Sequence, residues 1–152
     1  MSNVTPFLPA VASQMITDDQ VSLLRLSDLL KAIFIDHEVQ GDDLYVTDGL
    51  EFPVWISVLQ EPKLVLFVTY FTPEDEMPSD WLTRVNEFNS TIMVPQFAYQ
   101  EGSVWGNYWM TFDGGLSVRH FVKMLRRFSS AFRKATKDWV PSPKADAGGE
   151  AA

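Results

Sequence analysis

The chain has 152 residues and a mass of 17.3 kDa, with 46% hydrophobic and 13% aromatic residues, which suits one domain with an ordinary core and rules out wholesale disorder. Its 20 acidic against 12 basic residues give a net charge of -8, which opposes phosphate-backbone binding by the molecule as a whole. It contains no cysteine, so disulfides, thiolate metal sites, iron–sulfur ligation and cysteine nucleophiles are excluded.

Residues 1–15 read as a loose arm. They lack a Lys or Arg n-region and are interrupted by Pro6 and Pro9, so no signal peptide is expected, and the glycosylation sequons at Asn3 and Asn89 carry no weight without one. Thr17-Asp18-Asp19-Gln20 has the form of a capping box, with Ile16 and Val21 at the staple positions. Leu23, Leu26, Leu30 and Ile33 follow at helical spacing and predict a first helix over about 18–34. Gly41-Asp42-Asp43 is turn chemistry, Leu44-Tyr45-Val46 a short strand, and residues 53–60 and 64–71 two β-rich runs joined at hairpin length by Glu61-Pro62-Lys63. The second of these runs is the most apolar in the chain and far too short to cross a bilayer; a cytoplasmic protein is expected. Ser79 is a plausible N-cap for a second helix, on which Trp81, Val85, Phe88 and Ile92 repeat until Pro95. Residues 96–100 and 103–112 form a second hairpin around Glu101-Gly102. Ser117 caps a third helix, whose stripe is Val118, Phe121, Val122, Leu125, Phe128, Phe132, Ala135 and Trp139, ended by Pro141 and Pro143. Residues 140–152 read as a disordered tail.

The order is α-β-β-β-α-β-β-α. This is an α+β domain over residues 16–139, with an antiparallel sheet made of hairpins and flanking helices. Alternation puts Trp55, Ser57 and Leu59 on one side of their strand and Val54, Ile56 and Val58 on the other. Neither side of the long strands is cleanly polar, whereas an antiparallel sheet wetted on one side shows such polarity. The first and third helices are expected to cover one face and the second helix the other. Aromatic side chains bury on the order of 150–250 Å² each, more in total than one short helix hides. The surplus points to a homodimer or a protein partner, with Trp55, Phe67, Phe71, Trp81, Trp105 and Trp109 as candidate interface residues; cover from the loop at 72–78 and the N-terminal arm is the alternative.

Charge is segregated. Residues 1–115 hold 4 basic and 17 acidic residues, and residues 116–139 hold 7 basic and one acidic. The basic stretch is read first as the solvated face of an amphipathic helix, with an acidic partner or nucleic acid as the functional alternative. No catalytic motif emerges. Gly114-Gly115 lacks the lysine and pattern of a phosphate loop, and Gly102-Ser103-Val104-Trp105-Gly106 has its serine in the wrong slot for a nucleophile elbow. His37, between Asp36 and Glu38, and the distant His120 are too few for a zinc site, and Asp42, Asp43 and Asp48 miss calcium-loop spacing. Catalytic residues, metal and cofactor are all expected to be none.

Residues 85–128 resemble the core of the YbjN family. The segment Val85-Asn86-Glu87-Phe88-Asn89 at the end of the middle helix, the following hairpin and the entry Gly114-Gly115-Leu116 carry the resemblance, which extends over about residues 17–137. The family is described as bacterial regulators of sensory transduction, with a fold similar to the small, acidic, dimeric chaperones of type III secretion. The resemblance implies an interaction role and brings no catalytic residues; Asn86 and Asn89 are expected to cap the helix end and bond nearby backbone. The expected function is therefore a non-enzymatic regulatory or chaperone-like protein, working through a protein partner or a second copy, without nucleic acid or membrane. A true secretion chaperone, or a small-ligand sensor or enzyme with His37 or the Asp cluster at a pocket mouth, are the alternatives.

Overall fold

The computed structural model describes residues 14–74 and 78–138. The expected tail, most of the expected arm and Trp139 lie outside the described residues, as does the side chain of Ser79. Strands β1 (Met15–Ile16), β2 (His37–Gln40), β3 (Asp43–Val46), β4 (Val54–Gln60), β5 (Lys63–Phe71), β6 (Gln96–Gln100), β7 (Ser103–Thr111) and β8 (Leu116–Ser117) accompany helices α1 (Leu23–Ala32), α2 (Pro78–Thr91) and α3 (Val118–Thr136). Six strands form one antiparallel sheet in the order β2-β3-β4-β5-β7-β6, and β1 pairs with β8 in a separate two-stranded ladder. The expected α+β class with an antiparallel sheet is observed. Strand β2 is an element that the sequence pattern did not reveal.

The chain enters its first helix differently from the expectation. Thr17 N–H donates to Gln20 Oε1 at 3.3 Å, but Thr17 Oγ1 turns to the Asp19 carboxylate, and the capped segment is a single 3-10 turn, Asp18–Gln20. The α-helix begins five residues later than predicted, at Leu23, where Ser22 Oγ accepts from Arg25 N–H at 3.1 Å. Two N-caps follow each other, and the second propagates because Leu26, Leu29 and Leu30 are buried from it. Met15, assigned to the loose arm, is strand-paired with Ser117, and Ile16 is in the core. Asp18 completes this corner: its Oδ2 accepts from Lys63 Nζ at 2.9 Å and from Gly114 N–H at 3.4 Å.

All three helices lie on one face of the sheet. Leu26 and Leu30 of α1 and Phe121, Leu125 and Phe128 of α3 share a core with Leu44, Val46, Val54, Ile56, Val65, Phe67 and Met110. The ring of Phe67 lies 5.8 Å from those of both Phe121 and Phe128. Trp81 and Val85 of α2 join Phe132 of α3, Phe52, Phe97 and Val104 in a second, smaller core. Val104 and Phe97 stand on the same side of the sheet as Phe67, as the pairings Phe67↔Tyr108 and Phe97↔Gly106 show. The second helix therefore does not cover the opposite face as predicted. It extends the helix layer toward β6.

Two local features fix that layer. Ser129, fully buried in α3, accepts from Phe52 N–H at 2.7 Å and donates to Phe52 C=O at 2.6 Å, so a loop residue has both backbone groups satisfied by one hydroxyl. Gly106, in the middle of β7, gives Phe132 its seat: a Cβ there would stand 2.6 Å from the Phe132 ring. Phe132 is itself wedged against Phe52 and stacked on Phe97, at centroid distances of 4.8 and 5.6 Å, so it has nowhere to retreat.

Gly106→Ala is expected to destabilise by about 1–3 kcal/mol through overpacking, measured as a lower urea midpoint at unchanged slope. The Asp18–Lys63 pair gives a pH prediction. The hydrogen bond from Lys63 holds the Asp18 carboxyl below the ordinary carboxylate range, helped by the Gly114 N–H. A lowered native pKa stabilises above the unfolded value and stops doing so as pH falls through the native one. Asp18→Asn is expected to lower the melting temperature slightly near neutrality, the difference from wild type shrinking to nothing in acid below the ordinary carboxylate range; an unchanged difference there rejects the role.

Candidate functional site: the open face of the sheet

The other side of the sheet carries no helix among the described residues. Alternation along β3, β4, β5 and β7 sends Tyr45, Trp55, Tyr70 and Trp105 to it, and the register Tyr45↔Trp55 and Tyr70↔Trp105 sets them side by side. Tyr45 and Trp55 have ring centroids 4.7 Å apart, Trp55 and Tyr70 5.5 Å, Tyr70 and Trp105 4.7 Å, the last two pairs stacked at 27°. Four strands thus contribute one ring each to a continuous aromatic row. Each such cross-strand pair stabilises the sheet by roughly 0.2–1 kcal/mol, yet the row leaves much ring surface in water.

Beside the row runs a groove of about 430 Å³, bounded by Trp55, Tyr70, Trp105 and Val68 and rimmed by Gln40, Asp43 and Ser57. Trp55 Nε1 donates to Gln40 Oε1 at 3.2 Å, which ties the row to the edge strand. Beyond the row, Leu64, Leu66, Leu59 and Trp109 continue the apolar surface toward the β4–β5 turn. Trp109 keeps 49% of its surface exposed, Tyr70 41% and Leu59 38%. Burial raises the Tyr45 phenol above its ordinary value, and the neighbouring charges of Glu38 and Tyr70 push in the same direction.

The six aromatic candidates divide between two environments. Trp55, Trp105 and Trp109 are on the open face. Phe67 and Trp81 are fully buried beneath the helices, and Phe71, on the same side as Phe67, packs edge-on against Trp81 and Phe132. These three belong to the protomer's own core. Tyr45 and Tyr70 were absent from the predicted set; their alternation was readable, but only the strand pairing reveals that they complete a row.

Asp43 of the Asp cluster reaches the groove rim, while His37, Ser117 and Asn89 make hydrogen bonds that tie elements together. His37 Nδ1 lies 3.1 Å from Ile35 C=O and Nε2 2.6 Å from Ser27 Oγ. The carbonyl only accepts, so Nδ1 donates to it; in the neutral imidazole Nε2 then accepts from the serine hydroxyl. Both ring nitrogens are thus hydrogen-bonded within the protein. No group of three or more potential metal-ligating side chains gathers among the described residues. Ser117 Oγ accepts from His120 N–H at 3.2 Å, the N-cap anticipated for α3. Asn89 Oδ1 accepts from Phe97 N–H and Asn89 Nδ2 donates to Phe97 C=O, both at 2.8 Å, so the backbone-bonding role expected of this asparagine is observed. No helix among the described residues is long and apolar enough to cross a membrane.

Residues 22–137 match the model of a family described as "Putative bacterial sensory transduction regulator". The chain belongs to the YbjN family. Among solved structures, that of YbjN from E. coli, titled "a putative transcription regulator", is similar with a TM-score of 0.65 at 10% identity, over 79% of this chain and 90% of that one. At that identity the likeness speaks for the fold. Comparison with curated proteins returns no match. Within the family segment Val85-Asn86-Glu87-Phe88-Asn89, Val85 is in the smaller core and Asn89 clamps β6, so the segment joins α2 to the sheet.

Asn89→Ala removes two hydrogen bonds to one residue's backbone and is expected to cost about 1–3 kcal/mol. The readout is chemical denaturation, with Asn86→Ala, an exposed position, close to wild type.

Proposed function

We propose that this YbjN-family protein is a non-enzymatic cytoplasmic regulator that acts through protein–protein contact, and that two copies associate through their open sheet faces. The observation that carries this reading is the aromatic row with its apolar extension: Trp55, Tyr70, Trp105, Trp109, Leu59 and Leu66 on one side of a sheet whose described helices all lie on the other. Six strands at a spacing of about 4.8 Å span about 24 Å, and β5 and β7, at roughly 3.4 Å per residue, run about 30 Å. Because β2, β3 and β6 have only 4, 4 and 5 residues, the face so framed is about 600 Å², at the lower end of the roughly 800 Å² per partner of a standard specific interface. Two sheets packing face to face at about 10 Å interdigitate their side chains as in a sandwich. A second copy brings the same apolar surface, the same flatness and the same lack of cations.

The arrangement favours binding over catalysis. The groove rim offers an amide, a carboxylate and a hydroxyl from Gln40, Asp43 and Ser57, without a paired nucleophile and base. The row supplies stacking and apolar contact, which are the terms that anchor protein interfaces.

Sedimentation velocity over a concentration series tests the reading. Wild type is expected to be dimeric in the micromolar range. Trp105→Ala/Trp109→Ala is expected to weaken association at least tenfold with its circular dichroism unchanged, because both side chains lie outside the core. A wild-type monomer at about 100 µM, or a double variant as dimeric as wild type, overturns it.

A further inference from the structure

Helix α3 contains no acidic residue in its 19 positions, in a chain with 20 Asp and Glu. Arg119, Lys123, Arg126, Arg127, Lys134 and the following Lys137 are exposed. At 100° per residue they fall within one arc of about 100° on the side away from Phe121, Leu125 and Phe128. The stripe is about 27 Å long at ~1.5 Å per residue. No ion pair joins these six cations to a described acidic residue.

A merely solvated helix face has no reason for this composition. Solvated faces interleave signs so that neighbours at i, i+3 and i, i+4 attract. Here Arg119 meets Lys123, Lys123 meets Arg126 and Arg127, and Lys134 meets Lys137, all as like charges. The helix dipole accounts for cations in the last turn and opposes them in the first, where Arg119 stands and acidic residues are lacking. The stripe therefore works against its own helix along its N-terminal half, in a molecule otherwise strongly negative.

We propose that the exposed stripe of α3 is a second docking surface, separate from the open sheet face, and that it takes an acidic polypeptide segment of a partner protein. Charge complementarity names the chemistry. The charge of the rest of the molecule decides between a polypeptide and a nucleic acid: the remaining acidic surface repels a long, stiff polyanion over its whole length, whereas a short acidic segment needs to touch only the stripe.

The probe is a fluorescein-labelled peptide of 12 glutamates, followed by anisotropy against the full chain at about 50 mM salt, with a 12-glutamine peptide and a 12-base-pair DNA duplex alongside. A protein of net charge -8 attracts polyglutamate only if a local surface prevails. Saturable binding of the glutamate peptide, about tenfold weaker at 200 mM salt, is expected, with none of the glutamine peptide. Lys123→Glu/Arg126→Glu/Arg127→Glu is expected to weaken it at least tenfold with helicity retained. Should that variant not fold, Arg119→Gln/Lys123→Gln/Arg127→Gln, which only removes like-charge neighbours, is expected to lose at least fivefold. No binding by wild type at 50 mM salt, equal binding by a folded variant, or tighter binding of the duplex than of the peptide overturns the proposal.

Discussion

Phe132 reaches the sheet because position 106 has no side chain. With the ring lowered onto Gly106, α3 runs close over β5 and β7, and Phe132 becomes the piece on which Phe52, Phe71 and Phe97 converge. The smaller core is assembled around that ring. Its location on the α3 side draws α2, through Trp81 and Val85, into the same layer as α1 and α3. Among the described residues the opposite face is left without a helix, because all three helices share one side.

The two faces of the sheet are consequently held by different physics. On the helix side, rings interlock at edge and tilt angles and exclude water. On the open side, Tyr45, Trp55, Tyr70 and Trp105 lie against one another as a row, satisfying some of their apolar surface across strands and leaving part of it exposed. The charges sort along the same axis, with Glu38 and Asp43 on the sheet side and the cations of α3 on the outside of the helix layer. A dimer closed through the sheets would carry both basic stripes outward.

Much of this was legible in the residues. The helical stripes of α1, α2 and α3, the hairpins at Glu61-Pro62-Lys63 and Glu101-Gly102, the Ser117 cap and the α+β class follow from periodicity and turn chemistry, and the family from the segment around Asn89 and the Gly114-Gly115-Leu116 entry. The layering was not, because it depends on which strands are neighbours. Phe67 and Trp55 are equally aromatic in sequence, and only the register Trp55↔Val68 puts them on opposite sides. Strand β2 escaped notice because three of its four residues are exposed and its pattern has no buried alternation to read. The capping box at Thr17 was a true local signal with a short reach: it closes one turn, and the longer helix starts where Ser22 and the leucines agree.

The Asn89 clamp also bears on how this sheet meets other chains. Strand β6 is an outer strand, and outer strands present unpaired N–H and C=O groups on which a foreign strand can grow. Phe97, near the start of β6, has both of its groups already taken by one side-chain amide. An invading strand finds that socket plugged, and the opposite border offers only the four residues of β2, with a glutamate among them. One position of this margin is thus closed to strand addition by the protein's own side chain, while the broad open face has no such plug among the described residues.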